Sequence, residues 1–566
     1  MDSAMQRDVR QLSRNRYDVL VLGAGIYGAW TAWDAALRGL SVALVDKGDF
    51  GHATSSNTLR IIHGGFRYLQ HGDIRRMRHS IYERRVLMQV APHLVQPLPF
   101  LIPTYGRGMR GKELLSVALR INDLVGYDRN RLADPGKHLP RGRVISRQEC
   151  LRRFPGVDAE GLTGGAICFD GQVSSSERLL LAIVRSATNA GADVANYVEA
   201  VTPVMARDRL VGITAKDMLT GDEFDIRAQM VVNTTGPWLA RVSSLLSGHR
   251  TSWRLPLSKA FNLLIDRQLV PEYAVGAYGK SHFEDQDALL RKGSRLFFIT
   301  PWHGRSLIGT AHLPYHADPD SFSVSEGEIQ AFLDEINEAY PAARLHIQDV
   351  SFVYGGLLPA AEARMDSAQL LKRHHIRDHS AGDGLTGLIS VLGVKFTEAR
   401  YVAEKAVDLV FRKLGRPSPP SATATTPLHG GEMAQFHTFL AHEVARSRAG
   451  LPAEVLQRLI AYYGSAYTEL INYLDHPAES PPPLTAASRI LRAEVLHGIR
   501  EEMAQTLVDL VARRIPPGVA ESPGTPYLRT CAAIMAKELR WDEARMQREL
   551  EEVQGLTSHK RLQHVV

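Results

Sequence analysis

The chain has 566 residues, of which 44% are hydrophobic and 23% charged, and a formal net charge of +6. Such a length exceeds what one core organises, so about two or three domains are predicted, and the composition excludes a disordered or fibrous chain. Three distant cysteines, no run of about 18 apolar residues, no secretory h-region and no basic–aromatic pattern argue against a disulfide framework, a metal site, a membrane span, secretion and nucleic-acid binding, so a cytoplasmic protein is expected.

Residues 1–15 are polar and read as a frayed tail. Tyr17-Asp-Val-Leu-Val-Leu22 is the apolar run of a buried parallel strand. Gly23-x-Gly25-x-x-Gly28 follows directly, then an alanine-rich helical pattern closed by Gly39. Ser41-Val-Ala-Leu-Val45 is a second strand, with Asp46 at its tip, 18 residues after the third glycine. Gly23 permits the turn out of the strand, Gly25 removes a side chain where a pyrophosphate approaches, and Gly28 lets helix and strand pack closely. The helix offers free N–H groups and its positive dipole end to phosphates, and Asp46 accepts from ribose hydroxyls. The unit predicts a dinucleotide site without separating NAD from FAD.

His52-Ala-Thr54-Ser55-Ser56 and His63-Gly-Gly-Phe-Arg67-Tyr68 come next, then a charged helix around Asp73 to Gln89. Prolines between 92 and 103 favour strands or loops. Gly126 to Arg143 is basic, contains Gly and Pro, and predicts an exposed excursion. Ser146 with Glu149 predicts a capped helix to Phe154, and Ser174 to Ala190 another, closed by Gly191. Short strands at 193–201, 210–217 and 224–227 lead to Gln229–Asn233, which runs into Thr234-Thr-Gly236-Pro-Trp238. Residues 250–350 alternate short strands and turns around a helix from Ser325 to Tyr340. Leu388–Leu392 is a late strand, Gly393-Val-Lys395 a turn, and Phe396 to Leu414 a helix. A proline-rich linker at 416–427 precedes an almost wholly helical pattern from Glu432 onward.

The βαβ unit, Ala53-Thr-Ser-Ser56, His63-Gly-Gly-Phe-Arg-Tyr68 and several later motifs resemble the FAD-dependent glycerol-3-phosphate dehydrogenases over nearly the whole chain. The resemblance implies an α/β fold. It consists of a Rossmann-like two-dinucleotide-binding FAD domain (16–90, 171–245 and 352–415), interleaved with a mixed-sheet substrate domain (91–170 and 246–351). After the linker comes an all-helical domain (428–566). It implies FAD held by Gly23, Gly25, Gly28, Asp46, Thr54, Ser55, Ser56, Gly236, Gly393 and Lys395. The late helix would aim its N-terminus at the flavin. It places Arg67 and Tyr68 in the substrate pocket, with Arg373 facing the same site; two converging arginines suit a phosphate. The alternatives are a solvated surface lysine for Lys395 and a basic surface run for Arg373.

The departures cluster on the substrate side. Lys259-Ala-Phe-Asn262 stands for Lys-Gly-Ser-His, Gly356-Leu-Leu358-Pro359 for Gly-Val-Arg-Pro, and Gly309-Thr-Ala-His312 for Gly-Thr-Thr-Asp. A base and an anion clamp are thereby missing. Asn262 remains a substrate-side position, and His312 is a candidate replacement base, against the commoner structural role of a lone histidine. The catalytic candidates are Arg67, Tyr68, His312 and Lys395.

The expected activity is oxidation of a C–OH of glycerol-3-phosphate or a related polyol or polyol phosphate, with a quinone or another electron acceptor. Alternatives are oxidation of an amine, amino acid or sugar on the same fold, or flavin binding without turnover. Peripheral contact with the inner face of a membrane and a homodimer are compatible with the sequence.

Overall fold

The computed structural model describes residues 4–106, 111–248, 253, 255–279, 296–364, 367–446, 450–474, 486–515 and 524–557. Within these, the side chains of 67, 70, 71, 362–364, 367–369 and 486–490 lie outside the description.

Two sheets share the chain. The first runs His375–Asp378, Leu388–Leu392, Glu223–Asn233, Arg16–Leu22, Val42–Val45, Asp193–Ala195. All its pairings are parallel except the His375–Asp378 edge. Parallel strands are covered on both faces, which is why Val19 to Leu22 and Val42 to Val45 are continuous apolar runs, all buried. Helices Ile26–Leu37, Ser176–Asn189 and Ala399–Leu414 pack together over one face. A hairpin, Val198–Ala206 with Arg209–Asp217, continues antiparallel from Glu223–Asn233.

The second sheet is mixed and runs Ser367–Leu370, Val350–Arg364, Leu257–Ile265, Arg305–Tyr315, Leu296–Trp302, Ala274–Tyr278, Val95–Tyr105, Leu162–Val173, Ile61–Ile62. Its core packs under helix Glu326–Ala339, whose start is fixed by a capping box of Ser325 and Glu328. The architecture is therefore an α/β fold with a mostly parallel sheet, a mixed sheet and a C-terminal helical domain, whose helices begin at Phe436–Arg446 and end with Glu543–Thr557.

The helical domain is bolted to the first sheet through buried charge. Asp49, just beyond the tip of Val42–Val45, accepts from Arg513 Nε at 2.5 Å, from both Nη atoms of Arg514 and from Asn196 Nδ2 at 3.0 Å. Arg178 pairs with Glu502 at 2.6 Å, and the Tyr197 hydroxyl donates to Asp509 at 2.7 Å. The arginines hold the Asp49 carboxyl far below the usual carboxylate range against the desolvation that opposes them.

Three local expectations change. Residues 1–15 are not all tail: Val9–Arg14 is a helix capped by Asp8, Met5 and Leu12 are buried, and Arg7 pairs with Asp217 at 2.7 Å. The stretch 126–143 is exposed over most of its length, as expected, but it is pinned to the body of the protein at a few buried positions. Lys137 is fully buried, and its ammonium donates to Pro92 O at 2.6 Å, Val95 O at 3.0 Å and Gln96 Oε1 at 2.5 Å. Lys112–Val125, absent from the sequence reading, is a helix.

Candidate active site

A cavity of about 1660 Å³ opens where the carboxyl ends of the first sheet's strands meet the second sheet. Its nucleotide end is built by backbone. Gly23 has φ +92°, the left-handed region, and a Cβ there would meet Thr235 Cα at 2.9 Å. A Cβ on Gly28 would sit 1.9 Å from Gly23 O and 2.6 Å from Thr234 Oγ1, so helix and strand touch directly. Gly25 is the N-cap of Ile26–Leu37 and supplies no side-chain cap; Ser55 engages the Ile26 N–H, and the first-turn N–H groups beyond it face the anion position.

Asp46 is buried and binds its own loop: Oδ2 accepts from Ala24 N–H at 2.6 Å and Oδ1 from Gly48 N–H at 3.0 Å. Desolvation pushes its pKa up, opposed first by His52. A carboxylate has about four acceptor positions, so room remains for a ribose hydroxyl. Ser55 Oγ accepts from Ile26 N–H at 2.9 Å, at the mouth of the glycine loop. Thr54 is engaged with the second sheet, donating to Leu357 O at 3.0 Å. Ser56 turns away from the cavity and donates to Gly51 O at 2.7 Å. Gly236 lines the opposite wall with φ +54°.

The late turn closes onto the glycine loop through Tyr27. Its hydroxyl donates to Lys395 O at 2.6 Å and accepts from Lys395 N–H at 2.9 Å. Gly393 is required there, since a Cβ would lie 1.9 Å from the Tyr27 ring. These groups, an uncapped helix start, a glycine loop with no room for side chains and a long cavity, fit FAD.

Beyond the turn, side chains take over. Lys395 Nζ donates to the Tyr68 hydroxyl and stands 3.9 Å from that ring's centroid. Tyr68 is held over Gly65, whose φ is +79° and whose Cβ would strike the ring at 2.5 Å. Gly64 packs against Arg84, and its N–H donates to Asp170 at 2.5 Å. The second Gly of the motif thus seats the tyrosine and the first anchors the loop. Desolvation pushes the Tyr68 phenol well above its ordinary value, so it stays protonated.

His63 lines the same end, its ring edge-on to Tyr68 with centroids 5.9 Å apart. Desolvation, then the nearby cations Lys395, Arg76 and Arg84, bring its pKa down to about 3, so the imidazole is neutral. Arg76 also lines the cavity, with its guanidinium 4.5 Å from the Tyr68 centroid. Sequence reasoning passed over both. His63 sits inside a motif already singled out, and Arg76 in a charged helix whose facing a linear sequence leaves open.

Asn262 reaches the cavity from the second sheet; its Oδ1 accepts from the Thr310 hydroxyl at 2.7 Å. His312 and Leu358 line the same wall. Arg373 stands at the cavity edge, 78% exposed and 3.8 Å from Asp73. The Arg67 backbone lies in the 3-10 turn Phe66–His71, and its side chain lies outside the described residues. Tyr68, Lys395, Asn262, His312 and Arg373 are thus brought to one cavity.

Residues 18–408 match the family model "FAD dependent oxidoreductase", and residues 421–546 match "C-terminal domain of alpha-glycerophosphate oxidase". A glycerol-3-phosphate dehydrogenase of Synechocystis is 35% identical over 521 residues, covering 90% of each chain. The mitochondrial glycerol-3-phosphate dehydrogenase of Bos taurus is 30% identical, covering 95% of this chain and 72% of its own. The solved glycerol-3-phosphate dehydrogenase of Bacillus halodurans, complexed with FAD, superposes with a TM-score of 0.78 at 26% identity, covering 99% of this chain and 98% of that one. The glycine loop, the turn locked by Tyr27 and the C-terminal helices are the parts that these matches span: the chain belongs to the FAD-dependent oxidoreductases and, within them, to the glycerol-3-phosphate dehydrogenase family.

Proposed function

We propose that this chain oxidises the secondary C–OH of glycerol-3-phosphate or a closely related polyol phosphate. The observation that carries the reading is the meeting of Tyr68, Lys395 and neutral His63 at one end of the cavity, beside Arg76, Lys372 and Arg373. Bound FAD supplies the hydride acceptor and the onward transfer of electrons. Gly23, Gly25, Gly28, Asp46, Ser55, Gly236 and the Gly393–Lys395 turn would hold it. Tyr68, kept protonated and fixed by Lys395, donates a hydrogen bond to the substrate oxygen. His63 has a free lone pair and takes the hydroxyl proton; an anionic substrate among these cations raises its basicity towards the working range. His312 remains the second candidate for that proton.

The reading includes a quinone as electron acceptor and a peripheral site at the inner face of a membrane. Among the described residues no helix is long and apolar enough to cross a bilayer. Helix Lys112–Val125 supports peripheral contact: Val117, Ile121 and Leu124 form an exposed stripe, 52%, 38% and 75% exposed, while Leu115 on the same helix lines the cavity. The three-domain division, with its linker at 416–427, belongs to the same reading, and a homodimer rests on the family resemblance alone.

The test is anaerobic reduction of the FAD-loaded protein by a panel of polyol phosphates, free polyols, sugars and amines. Bleaching of the flavin by glycerol-3-phosphate at low concentration is expected. Bleaching by amines or amino acids alone would move the activity to C–N oxidation, and no bleaching by any donor would leave a flavin-binding protein.

A further inference from the structure

The resemblance puts an arginine where this chain has Leu358, and Leu358 lines the cavity. An anionic substrate therefore lacks one of its expected clamps. Arg76, on helix Ile74–Val90, lines the same cavity, and its side chain is only 13% exposed. Its guanidinium is held in place rather than consumed. It stacks on Tyr68 at 4.5 Å, and its nearest carboxylate oxygen, on Glu398, is 3.8 Å away, beyond hydrogen-bond reach. Glu398 itself is buried and accepts from the Ser80 hydroxyl at 3.1 Å. Among the described residues no side-chain hydrogen bond of Arg76 is formed. A poorly exposed guanidinium with its donor fork unengaged, facing a cavity, is a preorganised site for a carboxylate or phosphate. Stacking on an aromatic ring fixes the plane of the fork while leaving its N–H edge open.

We infer that Arg76 is a substrate-binding residue of this chain, holding the phosphate of a polyol phosphate in place of the arginine lost at Leu358. This rests on the function proposed above in naming the substrate, and on geometry in naming the residue. Tyr68 then connects the two ends of the substrate: its ring carries the phosphate clamp, and its hydroxyl faces the reacting carbon.

The experiment compares the FAD-loaded wild type with Arg76→Met, Arg76→Lys and the double variant Arg76→Met/Leu358→Arg. Arg75→Met, an exposed neighbour on the same helix, is the control. Inorganic phosphate is titrated while the flavin spectrum is followed, and KM and kcat are measured for glycerol-3-phosphate and for glycerol. Arg76→Met is expected to keep its flavin, to weaken phosphate binding, and to raise KM for the phosphate ester by about 30- to 150-fold. Reduction by glycerol, which carries no phosphate, should be impaired much less than reduction by the phosphate ester. Arg76→Lys, a point charge without the fork, falls between, and Leu358→Arg restores part of the loss. Equal phosphate affinity in wild type and Arg76→Met overturns the inference, whether or not glycerol-3-phosphate is turned over. Failure of the wild type to be reduced by any polyol phosphate, with phosphate binding still lost in Arg76→Met, sinks the proposed function and leaves the anion site standing.

Discussion

The two ends of the cavity are built from different material. At the nucleotide end the working groups are backbone N–H groups, and the residues that matter are those whose side chains must be absent or must hold a loop. Gly28 allows Gly23 O within 1.9 Å of where a Cβ would be, Asp46 ties two loop amides, and Gly393 lies against Tyr27. At the substrate end the working groups are side-chain tips: Tyr68, Lys395, His63 and Arg76. Backbone-coded function tolerates almost no substitution, whereas a side-chain clamp can be lost from one element and supplied from another. The departures at Asn262, Leu358 and His312 all fall at the second end.

The largest effect that would break this contrast is at Gly28. Gly28→Val places a branched side chain against Gly23 O, and the protein should purify colourless; a full ratio of flavin to protein absorbance would show that the loop adapts after all.

Next comes the clamp on the nucleotide loop. Arg514→Met leaves Asp49 buried with Arg513 as its one arginine and Asn196 as its neutral partner. Removing one partner of a buried pair costs about 3–5 kcal/mol. Thermal unfolding should shift down, and flavin should leave faster on dilution. Arg458→Met, which breaks a pair with Glu494 inside the helical domain, should lower stability without the change in flavin release. Equal flavin release in both variants would detach the clamp from the cofactor.

The smallest effect sharpens the other end. His63 is neutral in the fold and has its pKa down at about 3, against about 6.5 in the unfolded chain. Between those values the unfolded chain binds more protons, so stability falls as pH drops through 6.5 towards 3. From pH 7 to 5.5 the loss is on the order of 1 kcal/mol. His63→Gln should keep its flavin, slow turnover and flatten this acid slope. An unchanged slope would assign the acid sensitivity elsewhere, for instance to His93, a buried histidine also brought down to about 3 by desolvation.

The nucleotide end was legible because its signal is local: a strand, three glycines at fixed spacing, a helix and an acid within one stretch. The Ser146 cap and the helix from Ser325 were legible for the same reason. Lys137 was not. Local composition suggested a solvated basic loop, and the cage of carbonyls that buries it comes from residues about 40 positions away, at Pro92, Val95 and Gln96. The charged helix around Arg76 was predicted, yet which of its five arginines between 75 and 85 faces the cavity depends on how the helix sits against Tyr68 and Glu398. The Asp49 clamp was invisible for a plainer reason: Asp49 and its arginine partners are 464 and 465 residues apart.

That separation has a consequence in time. A ribosome adding about 5–20 residues per second completes the glycine loop and then needs roughly 25–90 s more to deliver Arg513 and Arg514. During that interval Asp49 has no counter-charge, and the loop that Asp46 organises is anchored on one side only. If the clamp governs flavin retention, cofactor capture falls at the end of synthesis, and chains arrested before residue 513 should emerge without flavin even though every residue of the nucleotide motif has been made.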